Sequence, residues 1–562
     1  MLRLFRESYT RKISDLDGLW YYHADTTGAE NWATGLPESK KAIMVPSCWS
    51  NEPGMLHYEG DVWMETSIFT SLPNARIVFG AVNNECDVYL DGKHLGYHYG
   101  PFTEFSFIAE GLTPGEHRLV LRTNNLHNEE DTIPLSNSDW FHYGGIIRSV
   151  EVHEFASVLI ESMKLEYILT ANKDASINAI ISLNSAKDIH TSLRLSVNNK
   201  TLAECQVSVC GRTEISLPVT LHNISRWDPT NPTLYTFTAE CEGDSLRERT
   251  GFRTIEIKDG RFLLNGKPIF FKGVNRHEEH PDWGFAVPAS LAKKDVDIIR
   301  GMGCNFIRGS HYPNAKAALD YMDEIGMLFW EEVPMWQFHE RHYSNPLVLE
   351  RAVKLHREMV VRDYNHPCIV VWGLHNEVDT ETQAAYEATK LFRQTIEAYD
   401  RSRLITFASK FPLTDICYEF ADFIAINYYI GWYKGPLSDW PNFIEQLADY
   451  LNKTGNGHKP LVMSEFGAGA IYGHRETEAE VTWSEDYQYE YLDYTLDLFQ
   501  KHGRLNGALV WQYCDIRAGT RTCESGIRRA LSRPRSFNNK GIVNEYRKPK
   551  LAYYAVKKAF SS

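Results

Sequence analysis

The sequence has no long apolar run, no paired-cysteine motif and no excess of basic residues. No apolar stretch reaches the roughly 18–20 residues of a membrane-spanning helix, so we expect no membrane span. The ten cysteines are scattered and none forms a Cys-x-x-Cys pair, which argues against a zinc knuckle or a disulfide framework. With 59 basic and 73 acidic residues, the net charge is −14, which makes the chain a poor candidate for a nucleic-acid binder.

The first twenty residues lack the features of a secretory signal peptide. They contain neither an apolar core of about 7–15 residues nor a cleavage site of small residues. Unpaired cysteines are also typical of a reducing compartment. We therefore expect a cytoplasmic location.

The rest of the composition is that of a large globular protein. At about 100–200 residues per domain, 562 residues indicate three to five domains. The 43 % of hydrophobic and 23 % of charged residues argue against wholesale disorder. Aromatic residues reach 13 %, an abundance typical of large cores and of sugar-binding clefts.

Two all-β regions come first in the chain. In residues 1–155, short apolar stretches such as IVFGAV and DVYLDGKHLG alternate with turn signals, and Asp91-Gly92 between alternating runs predicts a hairpin. This pattern favours a sandwich or jelly roll. Residues 156–253 hold about seven short strand-like runs, which fits an immunoglobulin-like β-sandwich. Few catalytic residue types cluster in the second region, so we expect it to be a spacer.

From residue 254 to 562 the pattern changes to strands that alternate with amphipathic helices. Eight apolar runs of strand length predict a closed (β/α)₈ barrel. Their near-continuous apolar character is typical of parallel strands buried on both faces. The runs are IFFKGV, CNFIRG, LFWEEV, CIVVWG, LITFAS, FIAINY, LVMSEF and ALVWQY. A last amphipathic segment, PKLAYYAVKKAF, would close the barrel.

Such barrels place their active sites at the carboxyl ends of the strands. The residues at those ends are mostly carboxylates, histidines, asparagines and aromatics. They are Asn275, Arg276, His277, Arg308, Ser310, His311, Tyr312, Glu331, Glu332, His375, Asn376, Glu377, Asn427, Tyr428, Tyr429, Ser464, Glu465 and Trp511. They contain no cluster with metal-ligand spacing and no glycine-rich phosphate loop, so we expect neither metal nor cofactor.

Two of these residues, Glu377 after the fourth strand and Glu465 at the end of the seventh, lie across the predicted barrel mouth from each other. A pair of carboxyl groups facing each other over a sugar is the minimum equipment for glycoside hydrolysis. One holds a proton for the leaving oxygen, and the other attacks the anomeric carbon or activates water. A glutamate at a strand end can equally be a salt-bridge partner, so the pair carries more weight than either member.

Several strings together resemble glycoside hydrolase family 2 over nearly the whole chain. RDYNHPCIVVWGLHNE resembles its acid/base signature and LVMSEFG its nucleophile strand. VPSCW, YLDGKHLGYHYGPFTEF, GFRTIEI, FLLNGKPIFFKGVNRHE and SHYPN match elsewhere. The resemblance implies a jelly-roll sugar-binding domain, an immunoglobulin-like sandwich and a (β/α)₈ barrel. It also implies a retaining mechanism with Glu377 as acid/base and Glu465 as nucleophile, their carboxyl groups about 5–5.5 Å apart.

The segment after the last strand is locally basic in an acidic protein. Its charged residues are Arg528, Arg529, Arg533, Arg535, Lys540, Arg547, Lys548 and Lys550 against Glu545. Asn538 and Lys540 match the Asn-x-Lys motif with which the β-glucuronidases of the family hold the substrate carboxylate. A uronic acid is the sugar that needs such charged donors. A solvated run of charge is the simpler interpretation of the stretch as a whole.

Resemblance to the β-glucuronidase branch implies further sugar contacts. NYYIGWY matches a loop that brings tyrosines to the site, here Tyr429 and Tyr433, and SDWFHYGGI matches a first-domain loop that brings an aspartate, Asp139. Trp511 would pack against the sugar. Asn376 would hydrogen-bond the 2-hydroxyl, a contact that strengthens in the transition state.

Relatives also use an arginine shortly before the Asn-x-Lys motif. Arg533 and Arg535 both compete for that role, with Arg535 taken as the candidate, and discrimination between glucuronate and its C4 epimer galacturonate stays open. Only about ten residues separate Met335-Trp336 from the next predicted helix. Relatives specialised for small glucuronides carry a long loop there, so we expect an open cleft that accepts larger aglycones.

The sequence thus predicts an exo-acting, retaining β-glucuronidase for small-molecule or oligosaccharide glucuronides. A β-galacturonidase with the same mechanism, or another family member such as a β-galactosidase, is the alternative. A carbohydrate-binding protein without activity and a metal-dependent hydrolase fit the motifs less well. Whether the protein forms a homo-oligomer stays open.

Overall fold

Within its described residues, the computed structural model contains three large hydrophobic cores, two in β-sandwiches and one in a barrel. No helix within the described residues is both long and apolar enough to cross a membrane. Cys523, Arg528 and Arg529 lie outside the described part of the chain. The structure describes residues 2–28, 30–170, 172–476, 481–519 and 532–561.

The first domain is a sandwich of antiparallel sheets. Its strands are β1 (Lys12–Asp15), β2 (Gly18–Asp25), β3 (Lys41–Val45), β4 (Asp61–Thr70), β5 (Asn74–Phe79), β6 (Val82–Asn83), β7 (Glu85–Leu90), β8 (Lys93–Tyr99), β9 (Phe105–Glu110), β10 (Gly115–Asn124), β11 (Gly145–Ile146) and β12 (Val150–Phe155). The two main sheets have the orders β1-β12-β5-β9 and β3-β2-β4-β10-β7-β8. Buried side chains alternate along β7, as expected for a strand with one face on a core.

The predicted hairpin at Asp91-Gly92 joins β7 to β8. Asp91 has a φ of 51° and Gly92 a φ of 80°, the pair of left-handed residues that a tight two-residue hairpin turn requires. The Asp91 carboxylate also accepts the backbone N–H of Arg118 at 2.8 Å. The turn is therefore tied to β10, the neighbouring strand of the same sheet.

The second domain has five strands where the sequence predicted about seven. They are β13 (Leu159–Leu169), β14 (Ala175–Val197), β15 (Lys200–Leu221), β16 (Tyr235–Cys241) and β17 (Asp244–Thr250). The difference arises because β14 and β15 run for 23 and 22 residues. The pairing of β14 with β15 shifts register between Ser185 and Ile189. The sequence pattern around that bulge resembles a turn, so β14 was predicted as two strands.

The third domain contains a closed barrel of eight parallel strands. They are β21 (Phe271–Asn275), β22 (Phe306–Gly309), β23 (Leu328–Glu332), β24 (Ile369–Asn376), β25 (Leu404–Ser409), β26 (Ile424–Asn427), β27 (Leu461–Phe466) and β28 (Leu505–Val510). Every residue of β24 is buried, in agreement with a strand covered on both faces. The predicted boundaries after residues 155 and 253 fall between β12 and β13 and between β17 and the first strand of this domain.

Helices surround the barrel with one interruption. They are α1 (Ala289–Gly301), α2 (Lys316–Ile325), α3 (Glu340–Tyr343), α4 (Pro346–Asp363), α5 (Gln383–Glu397), α6 (Trp440–Lys453), α7 (Glu485–Lys501) and α8 (Leu551–Phe560). Between β25 and β26 the chain forms only a 3₁₀ turn, Tyr418–Phe420. The strand–helix alternation predicted from the sequence is therefore incomplete there.

A small antiparallel sheet closes the amino-terminal end of the barrel. It consists of β18 (Ile255–Lys258), β19 (Arg261–Leu264) and β20 (Lys267–Ile269). From it, Phe262 stacks on Phe271 with 4.2 Å between ring centroids and meets the edge of Phe423. The opposite end carries a further short ribbon, β29 (Ile516–Arg517) with β30 (Phe537–Asn538). Because the small sheet covers the amino-terminal end, we expect the active site at the carboxyl end of the barrel.

Gly326 ends α2 against the second domain, and this contact can be tested. It has a φ of +78°, and a Cβ there would lie 2.7 Å from the backbone Cα of Pro229. Gly455, with the same φ of +78°, has no atom within 4 Å of such a Cβ. Both alanine variants carry the cost of a left-handed alanine, about 1 kcal/mol. We expect Gly326→Ala to lower the free energy of unfolding by about 1–3 kcal/mol more than Gly455→Ala does, because its Cβ would push α2 away from the second domain.

Denaturant unfolding of the two variants side by side provides the measurement. Equal losses in Gly326→Ala and Gly455→Ala would contradict a close contact between α2 and the second domain.

Candidate active site

Glu465 lies on β27 at the carboxyl end of the barrel and is buried. Its Oε1 accepts a hydrogen bond from Arg308 Nη1 at 2.8 Å, and its Oε2 accepts one from Tyr429 Oη at 2.8 Å. Burial raises the pKa of Glu465 to about 8, and the nearby charge of Glu377 raises it as well, whereas Arg308 and Tyr429 lower it. Both carboxylate oxygens are therefore held in fixed directions.

Arg308 on β22 is fully buried and connects four polar side chains below the site. Its Nε and Nη2 donate to Glu332 at 3.0 and 2.9 Å. Nη1 donates to Asn275 Oδ1 at 3.1 Å as well as to Glu465, and Nη2 donates to Asn376 Oδ1 at 2.7 Å. A guanidinium with planar, bidentate bonds of this kind is a rigid support.

Asn376 ends β24 and keeps one donor free for a ligand. Its Oδ1 accepts from Arg308 and, at 3.0 Å, from Asn427 Nδ2. Its Nδ2 is buried and has no hydrogen-bond partner within the described residues. Because a buried amide group without a partner costs free energy, this N–H group is suited to a hydroxyl of a bound sugar.

Glu377 follows Asn376 in a left-handed conformation, with a φ of 54°. Its Oε1 accepts a hydrogen bond from Asn427 Nδ2 at 3.0 Å, and its Oε2 accepts one from Gln337 Nε2 at 2.7 Å. Asn427 ends β26 and is itself held by Ser464, whose Oγ donates to its Oδ1 at 2.8 Å. The second carboxylate of the site is thus bound by neutral amides rather than by a cation.

Aromatic rings line one wall of the site. Trp511, one residue beyond β28, stacks on His311 with 5.1 Å between centroids and meets the edge of His277 at 5.5 Å. Trp140 from the first domain lies 5.6 Å from each of the two histidine rings. Burial lowers the pKa of both histidines, and Arg308 lowers it further. The wall is therefore formed by aromatic rings without positive charge, which suits stacking on a sugar ring.

Lys540 lies buried among aromatic rings. Its Nζ donates to Tyr433 Oη at 2.7 Å and lies 5.9 and 5.7 Å from the centroids of Tyr429 and Trp432. Burial lowers the pKa of Lys540, whereas Tyr433 raises it. Burial would raise the pKa of Tyr433, but Lys540 and Arg533 outweigh it and lower that pKa to about 8. This group of cations and phenols is suited to an anionic substituent.

Asp139 reaches the same region from the first domain. Arg533 Nε donates to its two carboxylate oxygens at 3.0 and 3.1 Å, and Asn538 Nδ2 donates to its Oδ2 at 3.1 Å. Arg535, the arginine that the sequence analysis selected, is exposed to solvent with a φ of 59°. The structure therefore brings Arg533 rather than Arg535 together with Asp139, Asn538 and Lys540.

Residues 255–562 match the family model "Glycosyl hydrolases family 2, TIM barrel domain", and residues 158–253 match "Glycosyl hydrolases family 2". The chain belongs to glycosyl hydrolase family 2. It is therefore a glycoside hydrolase, and the family and fold predicted from its sequence are confirmed.

Among curated proteins of the family, the β-glucuronidase of Paenibacillus borealis is 26 % identical over 97 % of this chain and 96 % of its own length. A solved β-galacturonidase from Eisenbergiella tayi, bound to galacturonate, is 32 % identical with a TM-score of 0.91 and covers 100 % of this chain and 99 % of its own. A β-glucuronidase structure from an uncultured Clostridium species is 26 % identical with a TM-score of 0.88, covering 100 % and 99 %.

Sequence reasoning gave no role to three residues that the structure places in the site. Arg308, His277 and His311 stood among the strand-end residues, but nothing in their motifs distinguished a support from a ligand. A buried charge within an apolar strand, as at Arg308, is a signal that could have been used. Gln337 was missed altogether, because it lies in the irregular connection between β23 and α3.

Two groups of possible metal ligands occur within the described residues, both away from this site: Asp323, His366 and Cys368, and Glu7, Glu151 and His153. In the first, His366 Nδ1 and Asp323 Oδ2 lie 2.6 Å apart. In the second, His153 Nε2 lies 3.0 Å from Glu151 Oε2. In each group, the histidine is thus bonded directly to a carboxylate of the same group.

The raised pKa of Glu465 predicts that this glutamate destabilises the fold near neutral pH. A carboxyl whose folded pKa is raised adds stability at low pH, which is lost as the pH rises from about 4.5 to about 8. Gln cannot ionise, so we expect Glu465→Gln to be more stable than the wild type at pH 7.5, by about 1–3 kcal/mol. Arg308 keeps Glu332 as its partner in this variant.

Thermal unfolding between pH 5 and 8 measures the effect, and the advantage of Glu465→Gln should shrink towards pH 5. Glu490→Gln, at an exposed position of α7, is the control and should follow the wild type. A Glu465→Gln protein less stable at every pH would contradict the prediction.

Proposed function

We propose that this protein is a retaining, exo-acting β-glucuronidase. The observation that carries the proposal is the buried Lys540, paired with Tyr433 in the same site as the carboxylates Glu377 and Glu465. A neutral sugar offers no anion to such a cation, whereas the C6 carboxylate of a uronic acid does. Asn538 lies two residues away and supports the same end of the sugar.

In the first step, Glu465 attacks the anomeric carbon while the bond from that carbon to the aglycone oxygen breaks. The electron pair of that bond leaves with the oxygen, which takes the proton of Glu377. In the second step, Glu377 removes a proton from water, whose oxygen replaces Glu465 at the anomeric carbon. Arg308 and Tyr429 aim the Glu465 carboxylate through both steps.

A β-galacturonide is the second candidate substrate. The solved galacturonidase is 32 % identical to this chain, against 26 % for the glucuronidases cited above. Both sugars carry the same carboxylate, so Lys540 serves either one. They differ only in the configuration at C4, where polar groups such as Asp139 and Arg533 would decide.

The short connection between β23 and α3 supports an open cleft where the aglycone would lie. The chain passes from Glu332 at the end of β23 to Glu340 at the start of α3 in a short connection. We propose that glucuronate-capped oligosaccharides enter as well as small glucuronides. Poor hydrolysis of such oligosaccharides relative to small glucuronides would count against this.

Initial rates on three p-nitrophenyl glycosides test the substrate: the β-D-glucuronide, the β-D-galacturonide and the β-D-galactoside. We expect the glucuronide to be the fastest, and Lys540→Ala to lower its kcat/KM by about 10²–10³-fold because a charged contact is lost. Lys548→Ala, at an exposed position of the same segment, is the matched control and should change nothing. A faster galacturonide would move the assignment to the second candidate, and activity on the galactoside alone would refute a uronidase.

The stereochemistry of the product tests the mechanism. We expect the first sugar released to be the β-anomer, followed by slow conversion to the equilibrium mixture, because two displacements restore the configuration. Proton NMR during the first minutes of turnover distinguishes the anomers. An α-anomer released first would show an inverting enzyme and would remove the nucleophilic role of Glu465.

A further inference from the structure

The carboxylate of Glu377 has two amide partners of different origin. Asn427 occupies Oε1 from the end of β26, and its amide also bonds Asn376. Gln337 occupies Oε2 at 2.7 Å from the connection after β23. Asn427 is one of the strand-end residues, whereas Gln337 lies outside every motif that the sequence analysis used.

The backbone of Gln337 is tied to the same short stretch of β24. Its N–H donates to the carbonyl oxygen of Asn376 at 2.9 Å, while the Asn376 N–H donates to Met335 at 2.8 Å. Gln337 has a φ of 53°, a left-handed conformation that costs a residue other than glycine about 1–2 kcal/mol. Strained residues of this kind are held by their surroundings and are frequent at functional sites.

We propose that Gln337 is a positioning residue that fixes the Glu377 carboxyl group and favours the transfer of its proton to the departing aglycone. The inference rests on the proposed retaining mechanism. As the O–H bond of Glu377 breaks and the aglycone oxygen takes the proton, negative charge develops on the carboxylate. The N–H donated by Gln337 strengthens as that charge grows, so it stabilises the transition state more than the ground state.

The other groups around Glu377 do not replace this donor. Glu465 on β27 carries a like charge when ionised, and the Tyr429 hydroxyl is used by Glu465. Arg308 on β22 bonds Asn376 and Glu465. The effect of Gln337 is also directional: in the second step Glu377 gains a proton, and the same N–H bond weakens. Loss of Gln337 should therefore slow the first step and leave the second unharmed.

A series of aryl β-D-glucuronides with leaving groups from phenol to 2,4-dinitrophenol separates these steps; the β-D-galacturonides serve if they react faster. For Gln337→Leu we expect kcat/KM on the phenyl glycoside to fall about tenfold, and that on the dinitrophenyl glycoside to stay within about twofold. Gln337→Glu keeps the shape but replaces the N–H donor by a carboxylate, and it should show at least the same selective loss. Gln383→Leu removes an exposed amide that donates to Glu387 at 2.9 Å and should leave both rates unchanged.

A loss of the same size for every leaving group, or a Gln337→Glu enzyme that matches the wild type, would overturn the proposal. Thermal unfolding of each variant shows whether it is folded. If one of the two Gln337 variants does not fold, the other still tests the proposal. Glu377→Ala separates this result from the proposed function. The mechanism holds if Glu377→Ala loses activity chiefly on poor leaving groups and azide restores turnover of the dinitrophenyl glycoside. In that case, a Gln337→Leu enzyme whose loss of kcat/KM is the same for every leaving group refutes only the role of Gln337. If Glu377→Ala shows neither sign, the proposed mechanism itself fails.

Discussion

The buried guanidinium of Arg308 is the interaction on which the rest of the site depends. It is bonded to Glu332, Asn275, Asn376 and Glu465 at once, and these residues come from four different strands of the barrel. A charge buried this deeply needs a buried counter-charge, which Glu332 supplies through two hydrogen bonds, and breaking such a pair typically costs about 3–5 kcal/mol. The strands therefore cannot shift relative to one another without exposing an unpaired charge.

The two candidate catalytic glutamates, Glu377 and Glu465, also differ in the kind of hydrogen-bond donor that contacts each carboxylate. Glu465 is bonded by a cation and a phenol, and Glu377 by two amides. The charged donor favours the ionised form of Glu465 and offsets part of the burial that raises its pKa, whereas Glu377 has only neutral donors. These different surroundings agree with the different roles that we propose for the two glutamates.

The sequence predicted what depends on local pattern. Apolar runs of strand length located all eight barrel strands. The positions at the ends of these runs identified Asn376, Glu377 and Trp511 as candidate site residues. What it could not predict depends on contacts between distant segments. The bulge in β14 resembles a turn in sequence, so one strand was predicted as two. Arg533 and Arg535 are the same residue type two positions apart, so the sequence could not tell which one contacts Asp139. The structure pairs Arg533 with Asp139, 394 residues away in the chain.

The contribution of Asp139 explains why the barrel alone does not complete the site. Its loop is held against the barrel by two buried bonds to neighbouring residues that follow β21: Tyr143 Oη donates to Glu279 at 2.7 Å, and Arg148 donates to Glu278 at 2.9 Å. These anchors lie within ten residues of Asp139, so they fix its carboxylate relative to Arg533 and Lys540. The first domain thus contributes to the site because its loop is held rigidly against the barrel. A barrel without the first domain would keep the two glutamates and Arg308. It would lose Asp139, the partner that orients Arg533 and Asn538 beside Lys540.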